Sequence, residues 1–512
     1  MAVLKQILLL FIIACSFASC SEKQKNIVVS MDSFASLRNP EYFVDSVSVR
    51  EQLRREVLAD TDRVPMDASF RRYYLNGGSL LWLTRSGVSA KADSVLAYVN
   101  TVESMGFNKE HFCSSRIEKD LKSLRSLDFS HCNVNKMMAR LEYNLSKAFF
   151  RYCVGQRFGF MNPRDVFNRI DVRDSDSVRV TYRSLYDVKL KTADKKFYAR
   201  AFDVVRNGRG VAEFLRESRP SNPVYELLVR RLAAVRTREE RKKLLCNIER
   251  SRWCQYDYPG QYEKYVVVNI PSLHLIAVDN SETITMRIGL GALETKTPLL
   301  TSRIKRMDFN PQWVIPKSIV KKSIVCHAGS KAYFDSHNYF IRDRKTGSSV
   351  DPSQVSGEML MSRDYMVVQR GGIGNALGRV IFRFDNNFSI FMHDTSNPGV
   401  FSRSDRSVSH GCIRVEKPFD LAVFMLKDKD ERVIDKLRYS MTVNYDTRVG
   451  AEEKEAQQID KSMMVRSLPV SPEIPLFITY YTMYPDRNGN VVAYPDIYGY
   501  DAVVYDKISK FL

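Results

Sequence analysis

The chain has 512 residues, 44% hydrophobic and 27% charged, with a formal net charge of +19. That length supports two or three domains with at least one large core, and the absence of long low-complexity or acidic tracts argues against a disordered chain. The positive balance suits work near an anionic surface, yet the basic residues are scattered (Arg54-Arg55, Arg71-Arg72, Arg230-Arg231, Arg241 to Lys243), so nucleic acid is not expected as a partner.

In chain order, Lys5 precedes an apolar run from Gln6 through Phe17, which ends in the small residues Ala18-Ser19 before Cys20. A run this short with these flanks is a signal-peptide pattern, not a membrane span. Phe17-Ala18-Ser19-Cys20 resembles the box at which bacterial lipoprotein signals are cut, leaving Cys20 lipidated; Ile13-Ala14-Cys15 is a rival box. No second apolar stretch reaches the roughly 18 residues of a span. The expectation is a periplasmic protein anchored to a membrane by lipid, with inner or outer membrane left open.

From about 40 to 250 the apolar pattern is helical. Val95, Tyr98, Val99, Val102 and Met105 share a face that Gly106 ends, and Met138, Leu141, Leu145, Ala148, Phe149 and Tyr152 form another stripe. Ser221-Asn222-Pro223 supplies a cap and a first-turn proline. After Trp253 the period changes. Lys264 to Ile270, Ser272 to Val278, Thr283 to Ile288, Arg379 to Phe384 and Asn387 to Met392 read as strands, whereas Pro316 to Gly371 is polar and irregular and reads as a lid or inserted subdomain. Helix returns at about 418 to 437. A polar linker from Ala451 to Lys461 then precedes the apolar run that starts at Ile474. The fold class is therefore α+β.

Seven cysteines lie beyond the leader: Cys113, Cys132, Cys153, Cys246, Cys254, Cys326 and Cys412. An odd number leaves at least one thiol unpaired in an oxidising compartment, and Cys412 is the candidate. Cys246 and Cys254 are one candidate pair; the alternative for several of the others is a small buried hydrophobe.

The chemistry concentrates in Ser409-His410-Gly411-Cys412-Ile413-Arg414-Val415 and in His393-Asp394-Thr395 before it. A thiol reacts as thiolate, so it needs a base or a positive neighbour. His393 ends an apparent strand and is the better base. Asp394 can orient that ring through its carbonyl or its carboxylate. Gly411 lets backbone amides approach a developing oxyanion, where His410 can add a hydrogen bond, and Arg414 can hold the loop or meet a substrate carboxylate. Zinc ligation by His393, His410 and Cys412 is the competing reading, but it lacks a fourth ligand and a common spacing.

Ser409 to Val415, with the preceding His-Asp-Thr, resembles the active-site signature of the L,D-transpeptidases. The likeness extends to Val267 through Pro271, Gly289 with Thr297-Pro298, Asn310 through Pro316, Gly374 through Gly378, the Pro220 to Arg236 and Asn247 to Trp253 stretches, Tyr480-Tyr481-Thr482 and Asp496 through Gly499. The stretch from Arg236 to Cys254 leaves no room for the small peptidoglycan-binding module of many large members.

The resemblance implies a signal peptide over 1–20, a helical scaffold domain over 21–255 and a β-rich catalytic domain over 256–445. A capping subdomain would be inserted at 317–370, and a C-terminal extension over 446–512 would pack on the core. It implies attack by Cys412 on a peptidoglycan tetrapeptide stem with loss of the terminal D-Ala, His393 as base, and a 3→3 crosslink. Ser409, Arg414 and Asn375 would contact substrate, no metal or organic cofactor would be required, and carbapenems would acylate the same cysteine. The rivals are a hydrolase on the same fold and a catalytically silent wall-binding scaffold. Oligomeric state is left open.

Overall fold

The structure, a computed structural model, describes residues 44–443 and 459–512, except 63, 85–86, 176–179, 208–209, 221, 281 and 487–488. The leader, Cys20, Cys15 and Ala451–Gln458 of the expected linker lie outside the described residues. Among the described residues no helix is long and apolar enough to cross a membrane. The chain divides into two compact units: one holds residues up to Phe158 with Ala193–Ser221 and Lys510–Leu512, the other Gly159–Thr192 with Asn222–Ser509.

The first unit is helical: α1 (Ser46–Ala59), α2 (Ala68–Leu75), α3 (Lys91–Asn100), α4 (Ser114–Ser126), α5 (Val134–Phe158), α6 (Lys195–Asn207) and α7 (Val211–Glu217). Helix α5 is its axis, buried along most of its length. The sequence stripe through Met138, Leu141, Leu145, Ala148, Phe149 and Tyr152 is wholly buried. So are polar groups on the same helix, among them Glu142, whose carboxylate is fully partnered. Glu142 accepts from the Trp82 and Leu83 amides at 3.0 and 3.1 Å and from the Tyr74 hydroxyl at 2.7 Å. The expected stop after Met105 is real: Gly106 has φ 89°, a left-handed value that suits glycine.

After a short helical turn at Pro163–Phe167, the second unit has a hairpin of β1 (Val172–Ser175) and β2 (Val180–Tyr182), then β3 (Tyr186–Asp187) and helices α8 (Pro223–Ala234, capped by Asn222) and α9 (Arg238–Arg252). Its sheet strands follow: β4 (Lys264–Asn269), β5 (His274–Asp279), β6 (Glu282–Gly291), β7 (Leu299–Phe309), then, after an insert containing β8 (Trp313–Val314), β9 (Tyr339–Asp343), β10 (Ser349–Val350) and β11 (Tyr365–Gln369), β12 (Val380–Phe384), β13 (Met392–His393), β14 (Ser407–Ser409) and β15 (Ile413–Val415). Helices α10 (Pro418–Met425) and α11 (Glu431–Thr442) precede the long β16 (Ser467–Thr479), and α12 (Tyr500–Ile508) follows it.

The order β12-β13-β15-β6-β5-β4-β16-β7-β3 forms one sheet, and β12 also pairs with β7, so the sheet closes on itself and protects its edges. Alternate residues such as Val266 and Val268, Leu275 and Ala277, and Met286, Ile288 and Leu290 fill its core with Leu421 and Leu437 of the covering helices.

Three features depart from the sequence reading and one agrees with it. The boundary at 255 falls inside the second unit, since β3 joins the sheet beside Leu299 and Leu300 and the buried α9 packs on α12. The C-terminal segment does not merely pack on the core: β16 runs between β4 and β7 as an internal strand. The insert, in keeping with an inserted subdomain, has a core of its own, with sheet order β8-β11-β9-β10 over Phe334, Ile341, Leu360 and Val367. Asn387–Phe391 is not strand. Asn386 accepts from the Phe388 and Ile390 amides at 3.0 and 3.2 Å and donates to Ile390 O at 2.7 Å, curling the segment before β13.

None of the seven described cysteines is disulfide-bonded, so the pairing of Cys246 with Cys254 is not formed. Cys246 is buried, with its Sγ 3.2 Å from Asp501 O.

Candidate active site

Strands β13 and β15 run parallel, with Met392 opposite Ile413 and His393 opposite Arg414. Strand alternation sends Met392 and Ile413 into the core, where both are fully buried, and turns His393 and Arg414 to the other face, while Cys412, just before β15, packs partly against the core. Strand spacing and rise set the Cα atoms of His393 and Cys412 at about 8 Å, a diagonal across which two side chains can meet. The thiol and imidazole share no hydrogen bond in this conformation.

His393 is 4% exposed. Its Nδ1 faces Asp394 O at 2.5 Å. A carbonyl can only accept, so Nδ1 carries the proton and Nε2 keeps its lone pair. Burial pushes the imidazole down to about 4, helped by the Arg414 charge and opposed by hydrogen bonding to the Asp394 and Leu377 backbone. The ring is neutral near pH 7. The Asp394 carboxylate is not its partner; it accepts from the Arg379 and Thr395 amides at 2.8 and 2.7 Å. Of the two ways Asp394 could orient the ring, the carbonyl is the one realised.

Cys412 is partly buried, and burial pushes its thiol up to about 11, against the pull of the Phe391 backbone and Arg414. The resting pair is thus neutral thiol and neutral imidazole. Arg414 supplies the local positive charge. Burial lowers its pKa, its Nε is buried without a partner, and a guanidinium so placed is suited to a carboxylate.

The cysteine loop is pinned by the connection between β6 and β7. Thr297 Oγ1 accepts from the Gly291 amide at 3.0 Å and donates to Gly411 O at 2.9 Å, and Thr295 Oγ1 donates to Ser409 O at 2.8 Å. Tyr498, just before α12, donates from its hydroxyl to Gly291 O at 2.6 Å and accepts from the Thr297 amide at 3.1 Å. Two glycines permit this contact. Gly411 has φ 111°, and a Cβ on Gly291 would lie 2.1 Å from Thr295 O and 3.0 Å from Gly411 Cα.

Residues 263–434 match the family described as the L,D-transpeptidase catalytic domain, and residues 68–232 match the family described as a scaffold domain. The chain thus carries an L,D-transpeptidase catalytic domain together with a scaffold domain. It is similar to a Haemophilus influenzae protein provisionally named an L,D-transpeptidase, with 30% identity over 280 residues, covering 53% of this chain and 52% of the relative. The match thus spans about half the length of that relative.

Within this L,D-transpeptidase domain the remaining expected site residues fall into two groups. His410 is exposed beside the loop, its pKa lowered by partial burial and by the Lys322 and Arg414 charges. Ser409 and Asn375, expected to contact substrate, are buried and hydrogen-bonded within the fold. Ser409 is 5% exposed and its Oγ donates to Cys412 O at 2.6 Å and accepts from the Gly411 amide at 3.1 Å. Asn375 is 1% exposed and ties Pro311 O, Arg370 O and the Leu377 amide together. The Gly411 amide is therefore occupied in this conformation.

Among the described residues no group of three His, Cys, Asp or Glu side chains is placed to hold a metal ion. Sequence reasoning passed over the roles of Thr295, Tyr498 and Arg406. The last is 7% exposed and spans Ile288 O and Leu273 O at 3.0 Å each. Thr297 stood in a quoted motif without a role.

Proposed function

We propose that the domain is a cysteine-dependent L,D-transpeptidase acting on peptidoglycan tetrapeptide stems. The observation that carries this reading is the pairing of β13 with β15, which sets a buried His393, its Nδ1 facing Asp394 O, one strand away from the Cys412 loop.

In the first half-reaction Cys412 Sγ attacks the carbonyl of the third, diamino-acid residue while its proton passes to His393 Nε2. The C–N bond to the terminal D-Ala breaks, the imidazolium returns that proton to the leaving amine, and a thioester remains. In the second, the neutral side-chain amine of a neighbouring stem attacks the thioester carbonyl. Its proton goes through His393 to the departing sulfur, giving a 3→3 crosslink and free thiol. The Cys412 amide stabilises the oxyanion, and Arg414 meets a carboxylate of the bound stem. Because the resting thiol is protonated, the base acts during attack and not beforehand. The leader pattern over 1–20 supports export and lipid anchoring at Cys20, which would place the enzyme beside its wall substrate.

Intact-protein mass spectrometry of the wild type and Cys412→Ala, each incubated with a disaccharide tetrapeptide or a carbapenem, tests the reading. The expected result is an adduct confined to the wild type together with a 3→3 dimer. Free tripeptide without dimer would make the enzyme a hydrolase, and no adduct with either reagent would favour a silent wall-binding scaffold.

A further inference from the structure

Beside the cysteine loop lies an open cleft of about 740 Å³, within the ~300–1,000 Å³ usual for ligand clefts. His410 and Gly411 line it together with Arg164, Asn168, Arg173, Tyr182 and Arg183. Neither Cys412 nor His393 lines it, so whatever fills it lies alongside the reacting thiol and not across it.

The cleft is strongly cationic. Arg164, Arg173, Arg183 and Lys296 line it, against the single lining carboxylate of Asp187. Asp171 accounts for part of this charge, pairing with Lys296 at 2.7 Å and with Arg183 at 3.9 Å. Arg164 and Arg173 are exposed and, among the described residues, neither side chain forms an ion pair or hydrogen bond. Two uncommitted guanidiniums in one cleft create a site for an extended ligand that carries several carboxylates.

We propose that this cleft seats the acceptor: a second peptide stem, held by its free carboxylates on Arg164 and Arg173, whose side-chain amine is thereby brought past His410 to the thioester. This rests on the acyl-transfer reading above. The donor must cover Cys412 Sγ, whereas the cleft reaches the adjoining His410 and Gly411, from which an acceptor's amine can extend to the thioester carbonyl. A stem peptide bears free carboxylates at its isoglutamate and diamino-acid residues, matching the charge of the cleft. Holding the amine here favours aminolysis over attack by water.

The test follows both half-reactions in the full-length enzyme, with tetrapeptide stem as donor and tripeptide stem, which has no D-Ala to lose, as acceptor. For Arg164→Glu/Arg173→Glu the crosslinked product is expected to fall at least tenfold. Thioester formation with donor alone should stay within twofold of wild type, and the lost crosslink should reappear as hydrolysed tripeptide. Arg164→Lys/Arg173→Lys should recover most of the crosslinking, and raising salt should weaken acceptor use in the wild type more than in the glutamate variant.

A parallel fall in both steps would overturn the proposal by assigning the cleft to the donor, and unchanged crosslinking would overturn it outright. Absence of a thioester in the wild type would defeat the acyl-transfer reading itself and the acceptor site with it. Near-UV circular dichroism of both variants separates a binding loss from a folding loss.

Discussion

His393 couples chemistry to stability through one proton. Burial lowers its pKa from 6.5 to about 4, so between those values the unfolded chain binds a proton that the folded chain refuses. Stability contributed by the neutral ring is present above pH 6.5 and is lost as pH falls toward 4, by about 3 kcal/mol in all. Urea unfolding of His393→Gln across this range is expected to show a shallower acid loss than wild type; equal slopes would refute the buried neutral ring. Cys412 behaves in the opposite sense. With its thiol pushed up to about 11, alkylation by iodoacetamide should be slow at pH 7 and rise about tenfold per pH unit, whereas a fast plateau near neutrality would indicate a preformed ion pair. Cys412, His393, Asp394 and Arg414 could be named as candidates from the sequence because such residue types cluster in two short motifs. Which oxygen of Asp394 holds the ring could not, because strand pairing and the Arg379 amide decide where the carboxylate turns.

At the scale of elements, the cysteine loop depends on residues far from it in sequence. Thr297→Val removes the hydroxyl that joins Gly291 N to Gly411 O and leaves buried backbone groups unpaired, at a cost of about 1–3 kcal/mol. Chemical denaturation is expected to register that loss, and acylation by a carbapenem should slow as the loop loosens; Thr297→Ser should retain both. Gly291→Ala places a methyl against Thr295 O and should disturb the loop more severely, which a lowered melting temperature together with slower acylation would reveal. Strands β4, β5 and β6 were readable from β-branched runs and alternation. The false strand over Asn387–Phe391 shares their composition. It fails because Asn386 offers the local amides a better set of hydrogen bonds than a ladder would. The insert read as polar because its few core residues, such as Phe334 and Ile341, are spread over short elements.

For the whole molecule the position of β16 has the largest consequence. It pairs in parallel with β4 and antiparallel with β7, so a chain ending at residue 445 would lose an internal strand and expose two long edges. Such a truncation is expected to aggregate or to lose near-UV circular dichroism while keeping far-UV signal; a soluble, carbapenem-reactive truncation would show that the sheet closes without it.

By itself the sequence determined a helical half and a β-rich half, the reactive cysteine and histidine motifs, and the family resemblance, because periodicity and local motif chemistry are properties of neighbouring residues. Only the tertiary structure decided that residues 159–192 and the C-terminal strand belong to the catalytic unit, that Ser409 and Asn375 face inward as braces, and that Thr297 and Tyr498 hold the cysteine loop. Those outcomes depend on which distant strands pair and which buried polar groups find partners, and no local pattern encodes either.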